Sequence, residues 1–361
     1  MARIALLVAG GTGGHLFPAL ALREALIRRG WSVHVATDPR VGEMISGVPA
    51  DHTHRIPSAT IAGRSPLALM RSLATMVRGV GRSRTLLKAL KPAIVVGFGG
   101  YPTVPPVIAA RLGGIPILAH EQNAVVGRAN RLIIRLGATL ATGFDKPMGS
   151  AGAKRSVHVG NPVRDAVASA AQPYRAPEPG GPFRLLVFGG SQGARVFSGL
   201  VPGALSLLGE ARRRRIVVVQ QARPEDVDAT RDTFGGIEVE AIVAPFFTDM
   251  GERLAAAHLV ISRAGASTIA ELAALGRPAI LVPYPHALDH DQAENARALA
   301  DAGGAWLMPE PHLDVATLAE RLRALMDGPE ALSRAAEAAK AQGRLDAAER
   351  LADAVEETAR R

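Results

Sequence analysis

Twice in this chain a short apolar run breaks into a glycine-rich turn: IALLVAGGTGGH at residues 4–15 and LLVFGGSQGAR at residues 185–195. A strand that ends in Gly-Gly-(Thr/Ser)-x-Gly and passes into a helix is a phosphate-handling device. Its glycines let the backbone come close to a ligand, and the helix start offers unpaired N–H groups and partial positive charge. The turns begin at Gly10 and Gly189, about half the chain apart. Two such units predict two facing α/β domains with polyphosphate chemistry between them.

The length of 361 residues agrees, because single cores seldom grow beyond about 250–300 residues. Strands are expected at 4–8, 33–37, 93–97, 115–119 and 157–160, then at 185–188, 216–220, 237–244, 259–262 and 279–283. Several are continuous Val/Ile/Leu runs, which suit parallel strands covered on both faces. Helical patterns such as 19–29, 266–275 and 291–302 alternate with them, and repeated βα units imply doubly wound sheets. The first domain is expected over 1–162 and the second over 163–342, with a helical tail near 343–361 that packs back on the first. Segment 172–182 (QPYRAPEPGGP) reads as a linker by composition, with the hinge near Gly160-Asn161-Pro162.

A net charge of +9 points to an anionic partner. Nucleic acid is disfavoured, since aromatic residues make up only 4% and no zinc-finger or RNP-type motif occurs. Without cysteine the chain forms neither disulfides nor thiolate metal sites. The start, MARIALLVAGG, reads as a buried strand rather than a signal peptide, and no run approaches about 20 apolar residues. A soluble, cytoplasmic protein is expected.

His15 closes the first glycine turn and falls in the first turn of a helix. There the helix dipole disfavours the imidazolium and keeps the ring able to accept a proton; local capping is the bland alternative. A dinucleotide fingerprint fails, because the third glycine of G-x-G-x-x-G falls at Leu16, although Asp38 could mimic the ribose-binding acid. A Walker A loop fails too, since neither turn is followed by Lys-Ser/Thr. Gly97-Phe98-Gly99-Gly100-Tyr101 and His120-Glu121-Gln122-Asn123 follow apolar strands, at the ends that line the crevice of a parallel sheet. Arg164, just after Asn161-Pro162-Val163, either reaches a phosphate or is an ordinary surface arginine.

In the second half, Ser191 offers a hydroxyl to a phosphate oxygen from within its glycine turn. Arg263-Ala264-Gly265-Ala266-Ser267-Thr268 opens a helix whose Glu271 could accept from two ribose hydroxyls, or stabilise the helix start. Asp289-His290-Asp291 has the form of an Asp-x-Asp metal motif but lacks other ligands nearby, so no dedicated metal site is expected. Leu67, Met70, Leu73, Val77 and Val80 recur at helical spacing among Arg71, Arg78, Arg82 and Arg84, and no acid interrupts Arg64 to Lys88. Such a helix can lie on an anionic membrane, each cation adding about 1 kcal/mol. Taken alone, the segment reads instead as a helix burying its apolar side in the core, weakened by Gly79 and Gly81.

Together, GGTGGH at 10–15, GFGGY at 97–101, HEQN at 120–123, GNPVR at 160–164, FGGSQGA at 188–194, RAGASTIAEL at 263–272 and PYPHALDHDQAENA at 283–296 closely resemble the MurG family. These are the undecaprenyldiphospho-muramoylpentapeptide β-N-acetylglucosaminyltransferases of bacterial cell-wall synthesis. The resemblance spans essentially the whole chain in order. It implies a GT-B fold, two Rossmann-like doubly wound parallel-sheet domains facing across a cleft, with the donor held mainly by the second. It implies inverting transfer of N-acetylglucosamine from UDP-N-acetylglucosamine to the C4 hydroxyl of the muramoyl sugar of lipid I, giving lipid II.

By that resemblance His15 is the candidate base, with Glu121 or a water relay as the alternative. Ser191, Arg164 and the glycine-loop amides would hold phosphate charge, Ala266, Ser267 and Thr268 would line the donor, and Glu271 would take the ribose. The backbone at Phe247 would read the uracil and Gln292 the sugar hydroxyls. Asn123 with Thr12, Gly13 and Gly14 would complete the first domain's share, and Gly99, Gly100 and Tyr101 would face the acceptor diphosphate. No cofactor is expected; stimulation by a divalent ion is left open. The lipid acceptor also reverses the reading of 64–88: Leu67, Met70, Arg71, Val77, Arg78 and Arg82 become a contact with an anionic membrane. The expected location is peripheral, on the cytoplasmic face of the inner membrane. A sugar-nucleotide epimerase, another GT-B enzyme and a non-catalytic scaffold are the competing readings.

Overall fold

The computed structural model describes residues 2–10, 13–38, 45, 47–59, 66–190 and 193–361. The chain forms two compact units, Met1–Val163 with Asp346–Arg361, and Arg164–Leu345.

The first unit is built on a seven-stranded sheet: β1 (Ile4–Val8), β2 (Ser32–Thr37), β3 (Thr53–Arg55), β4 (Ile94–Gly97), β5 (Ile117–Glu121), β6 (Thr139–Thr142) and β7 (Ser156–His158). All pairings are parallel, in the order β3-β2-β1-β4-β5-β6-β7. Alternation along β1 explains its unbroken apolar run, because both faces are covered. Ala5 and Leu7 pack with Leu16, Leu22 and Leu26 of the helix Gly13–Arg28 and with Leu351 and Val355 of the tail helix Ala347–Ala359. Leu6 and Val8 pack on the other face with Val107 and Ile133. The tail helix is further tied down by Arg29, which donates to Glu349 and Asp353.

The second unit repeats the plan with β8 (Phe183–Phe188), β9 (Ile216–Gln221), β10 (Glu240–Ala244), β11 (Leu259–Ser262), β12 (Ala279–Leu281) and β13 (Ala305–Leu307), in the order β10-β9-β8-β11-β12-β13. The chain is therefore α/β with doubly wound parallel sheets. In each sheet the strand order reverses beside the first strand, between β1 and β4 and between β8 and β11. Those switch points are where ligands bind in such sheets. The glycine turns at Gly10 and Gly189 sit on them.

One expectation changes, and the two readings of segment 64–88 part company. Segment 172–182 is not a free tether but belongs to the second unit. Tyr174 packs on that core and donates to His258 O at 3.0 Å, and Gln172 donates to Ala255 O at 3.1 Å. The helix Pro66–Leu90 does not bury its Leu/Met/Val side. It buries Met76, Gly79, Ser83 and Leu87, and leaves Leu67, Met70, Leu73 and Val77 57–68% exposed. Gly79 is required there, because a Cβ would lie 2.2 Å from the Pro57 carbonyl oxygen. No helix among the described residues is long and apolar enough to cross a membrane.

Arg277 is the largest fully buried side chain of the second unit. Its guanidinium donates to the carbonyls of Leu254, Ala255, Leu275, Gly276 and Gln172. A cation suits these carbonyls, since all but that of Gln172 close the helices Met250–Ala256 and Ala266–Leu275, whose C-termini carry partial negative charge. Arg277→Met keeps the stem but strands those acceptors, and should cost roughly 3 kcal/mol or more. Urea unfolding followed at Trp306, the tryptophan of this unit, in a Trp31→Phe background measures it; an unchanged midpoint would mean that water replaces the guanidinium without penalty.

Candidate active site

In the first unit the site is assembled at the carboxyl ends of β1, β4 and β5. Residues 11 and 12 lie outside the described residues, so Thr12 has no structural account. Gly13, Gly14 and His15 open the helix Gly13–Arg28. After β4 the chain passes beside the imidazole at Gly99 and Gly100, with φ of +89° and +75°. A Cβ at Gly99 would lie 3.3 Å from His15 Cε1, and one at Gly100 3.5 Å from its Cδ2. Tyr101 follows, half-buried, at the head of a short 3-10 turn.

Side chains alternate across the end of β5. His120 and Gln122 join His15 on one side, and Glu121 and Asn123 meet on the other. His15 Nδ1 lies 3.1 Å from Gln122 Oε1. Gln122 Nε2 lies 3.1 Å from His120 Nδ1 and 3.2 Å from His120 O, and His120 Nε2 lies 3.1 Å from Gly160 O. Burial pushes His120 down to about 4; the bond to Gly160 O opposes this and the nearby His15 charge adds to it. Glu121 is only 2% exposed, and its carboxylate accepts from Asn123 N and Nδ2, Gly127 N and Asn130 Nδ2 at 2.8–3.4 Å. That carboxylate shapes the loop that follows β5. Asn161 Nδ2 closes the arrangement on Gln122 O at 2.7 Å.

In the second unit the glycine turn after β8 is held by Gln221, whose Oε1 accepts from Gly189 N at 3.1 Å. Residues 191 and 192, and so the expected phosphate ligand Ser191, lie outside the described residues. After β11, Gly265 caps the helix Ala266–Leu275 without any side-chain cap, so the first-turn amides of Ala266, Ser267 and Thr268 have no intrahelical acceptor. One turn in, buried Glu271 takes a two-pronged bond from Arg164, Nε to Oε1 at 2.7 Å and Nη2 to Oε2 at 2.9 Å. Burial works against the Arg164 charge, but its bonds to Glu271 and that carboxylate's charge raise its pKa overall. Gln292 Oε1 accepts from Ala264 N at 3.2 Å and Tyr284 N at 3.0 Å, which turns its NH2 away from those amides. Arg263 donates to Val282 O and Pro283 O and pairs with Glu310 at 2.5 Å.

The structure thus gathers His15, Gly99, Gly100 and Asn123 in one unit, and Arg164, Ala266, Ser267, Thr268, Glu271 and Gln292 in the other. Phe247 belongs to a stretch tied to the glycine turn, because Gln221, which accepts from Gly189 N, also donates to Pro245 O at 3.2 Å. It follows β10 at the sheet edge, three strands from β11, with its ring buried under the Arg253 guanidinium at 4.4 Å. Gln122, Asn130, Asn161 and Arg263 carry the site's hydrogen bonds yet were not singled out as site residues by the sequence. The available signal was the period of two in His-Glu-Gln-Asn, which sorts the four residues onto two sides.

The glycosyltransferase family 28 N-terminal domain model matches residues 5–141, and the family's C-terminal domain model matches residues 184–351. A UDP-N-acetylglucosamine--N-acetylmuramyl-(pentapeptide) pyrophosphoryl-undecaprenol N-acetylglucosamine transferase of Rhizobium leguminosarum is 52% identical over 354 residues, 98% of this chain and 95% of the relative. Its counterpart in Brucella abortus is 52% identical over 98% of this chain and 93% of its own length. Among solved structures, MurG of Acinetobacter baumannii superposes with a TM-score of 0.81 at 28% identity, covering 98% of this chain and 99% of that one. A Listeria monocytogenes protein described as a UDP-N-acetylglucosamine 2-epimerase reaches a TM-score of 0.70 at 17% identity, covering 99% and 96% of the two chains, which shows a shared fold alone.

His120 gives the site a pH signature. The folded ring takes a proton only near 4, whereas the unfolded ring takes one near 6.5. Between those values the unfolded chain binds the extra proton, so the contribution present above about 6.5 is lost as pH falls toward 4, up to about 3 kcal/mol. Urea unfolding followed at Trp31 in a Trp306→Phe background should show this slope, and His120→Asn should reduce it, leaving the share of His34, which burial also pushes down to about 4. Parallel slopes for the two proteins would assign the acid sensitivity to other groups.

Proposed function

The chain belongs to the MurG family within glycosyltransferase family 28, and from that premise we propose how its residues divide the reaction. It transfers N-acetylglucosamine from UDP-N-acetylglucosamine to N-acetylmuramyl-(pentapeptide) pyrophosphoryl-undecaprenol, the step that makes lipid II. In our reading the C4 hydroxyl of the muramoyl sugar attacks the anomeric carbon in line, inverting it. The new C–O bond forms as the bond to the UDP diphosphate breaks, and the hydroxyl proton passes to a base. The protein must therefore supply that base and meet the charge growing on the leaving diphosphate.

His15 is the base. The observation that carries this is its place at a helix start, against Gly99 and Gly100, with one ring nitrogen engaged by Gln122. Asn123, Gly13 and Gly14, with Thr12, complete the first unit's share, and Gly99, Gly100 and Tyr101 face the acceptor diphosphate. In the second unit the amides of Ala266, Ser267 and Thr268 receive donor phosphate charge, together with Ser191 in the other glycine turn. A carboxylate offers about four lone-pair sites. Arg164 fills two on Glu271, which leaves the others for vicinal ribose hydroxyls. Arg164 therefore serves the diphosphate by fixing Glu271 and adding charge at long range. The Gln292 NH2 reaches the sugar hydroxyls, and the backbone at Phe247 reads the uracil. No resident metal is part of this scheme.

The exposed side of the helix Pro66–Leu90 is the surface that meets the membrane. Leu67, Met70, Leu73 and Val77 enter the interface while Arg71, Arg78 and Arg82, all exposed, meet anionic headgroups. A contiguous apolar patch of this kind supports a docking face, and the acceptor's lipid anchor supports a peripheral location on the cytoplasmic face of the inner membrane.

Release of UDP, measured with and without a lipid I analogue, tests the assignment: acceptor-dependent release with a disaccharide product is expected. His15→Ala should lower turnover at least about 100-fold with little change in UDP binding. A near-normal rate would remove His15 from the base role. Charge reversal of Arg71, Arg78 and Arg82 should reduce cosedimentation with anionic vesicles several-fold; unchanged pelleting would exclude this face.

A further inference from the structure

The hydrogen bonds around His15 fix where every proton lies. A carbonyl oxygen only accepts, so His120 Nε2, 3.1 Å from Gly160 O, carries a proton. The ring is fully buried and neutral, so its Nδ1 holds a lone pair. The Gln122 side-chain atom facing that lone pair at 3.1 Å also faces the His120 carbonyl oxygen at 3.2 Å. Both partners only accept, so this atom is the amide nitrogen and the other end is the oxygen. An amide oxygen has no proton to give, so His15 Nδ1, 3.1 Å away, must donate to it. A neutral imidazole has one N–H. His15 Nε2 is then left with the lone pair that a base needs.

We propose that Gln122 is a positioning residue for the transfer: its amide holds His15 in the Nδ1–H tautomer, and His120, anchored on the Gly160 carbonyl, holds the amide. The relay deepens the reading of His15 as base and rests on it. Each link is itself immobilised. The Gln122 side chain is buried, and its backbone carbonyl accepts from Asn161 Nδ2 at 2.7 Å. Asn161 is pressed over Gly143, where a Cβ would lie 2.1 Å from its Oδ1. The residues of GNPVR that begin the motif thus act on His15 from about 145 positions away in sequence, Gly160 through His120 and Gln122 and Asn161 through Gln122 alone. Without the amide, the His15 proton would exchange between its nitrogens, and a share of molecules would present N–H where the acceptor hydroxyl needs a lone pair.

Two readouts on the full-length protein separate this role from mere packing. In 15N-histidine NMR at neutral pH, wild-type His15, assigned by loss of its signals in His15→Asn, should show a protonated Nδ1 and a bare Nε2. Gln122→Met, close in size but without hydrogen bonds, should mix the tautomers and lower kcat about 10- to 100-fold, with KM for UDP-N-acetylglucosamine changed less than about two-fold. Gln122→Glu restores an acceptor for His15 Nδ1–H and should recover the tautomer and part of kcat. A bare Nδ1 in the wild type, or wild-type kcat in Gln122→Met despite mixed tautomers, would overturn the inference. The second outcome with an inactive His15→Ala would leave the base assignment standing, whereas an active His15→Ala would remove the base itself while leaving the tautomer measurement intact. Should Gln122→Met fail to fold, the wild-type spectrum and Gln122→Glu decide the question.

Discussion

Burying the Glu121 carboxylate at the end of β5 is costly unless its lone pairs meet donors, and N–H groups of Asn123, Gly127 and Asn130 meet them. That requirement dictates the path of the chain from 122 to 127. Because side chains alternate, holding Glu121 on one side commits His120 and Gln122 to the other, where they reach His15. The placement of His120 and Gln122 beside His15 is therefore downstream of how Glu121 is satisfied. The carboxylate that looks most like a spare base is the one whose oxygens are most fully engaged.

The second unit solves a related problem with the opposite charge. Its helix Ala266–Leu275 presents an uncapped start beside the switch point, the condition for binding an anion there. The far end of the same helix is closed by the Arg277 guanidinium, which takes up carbonyls that water cannot reach. Glu271, between the two, is fixed by Arg164. Groups along this helix are thus held by the protein's own bonds, and a surface ordered in advance costs less to order on binding.

Much of this was legible in the sequence because buried parallel strands are spelled as unbroken apolar runs. The strands Ile4–Val8 and Leu259–Ser262 were read to the residue, and so was the helix Ala266–Leu275. β3, β6 and β13 escaped for a physical reason: THR, TLAT and AWL are too short or too polar to stand out, and they form because a neighbouring strand offers them an edge. The proline-rich stretch 172–182 looked like a tether because composition does not reveal that Tyr174 and Gln172 are anchored. Within the site, the residue types were readable and the partnerships were not. The sequence offers Arg164 and Glu271 as separate ligand contacts, and the fold adds that each also holds the other. Gln122 was one of four polar letters until the sheet placed His120 and His15 on its two sides.

The helix Pro66–Leu90 shows why periodicity by itself misjudges a face. Its apolar spacing is that of a core helix, and its glycines look like weak points. The fold instead needs a narrow contact stripe, since Gly79 passes close to the Pro57 carbonyl and Met76, Ser83 and Leu87 fill the rest. Small residues permit that approach, so the larger apolar side chains are not required for folding and remain outside. Gly81, by contrast, faces open space, so close packing explains one glycine and not the other. Apolar side chains kept in water, beside arginines and on a helix already held by a different face, are there for something other than this chain's own core. The net charge of +9 has the same direction, since a cationic protein is attracted to anionic surfaces and an exposed apolar stripe among arginines is the pattern that suits one.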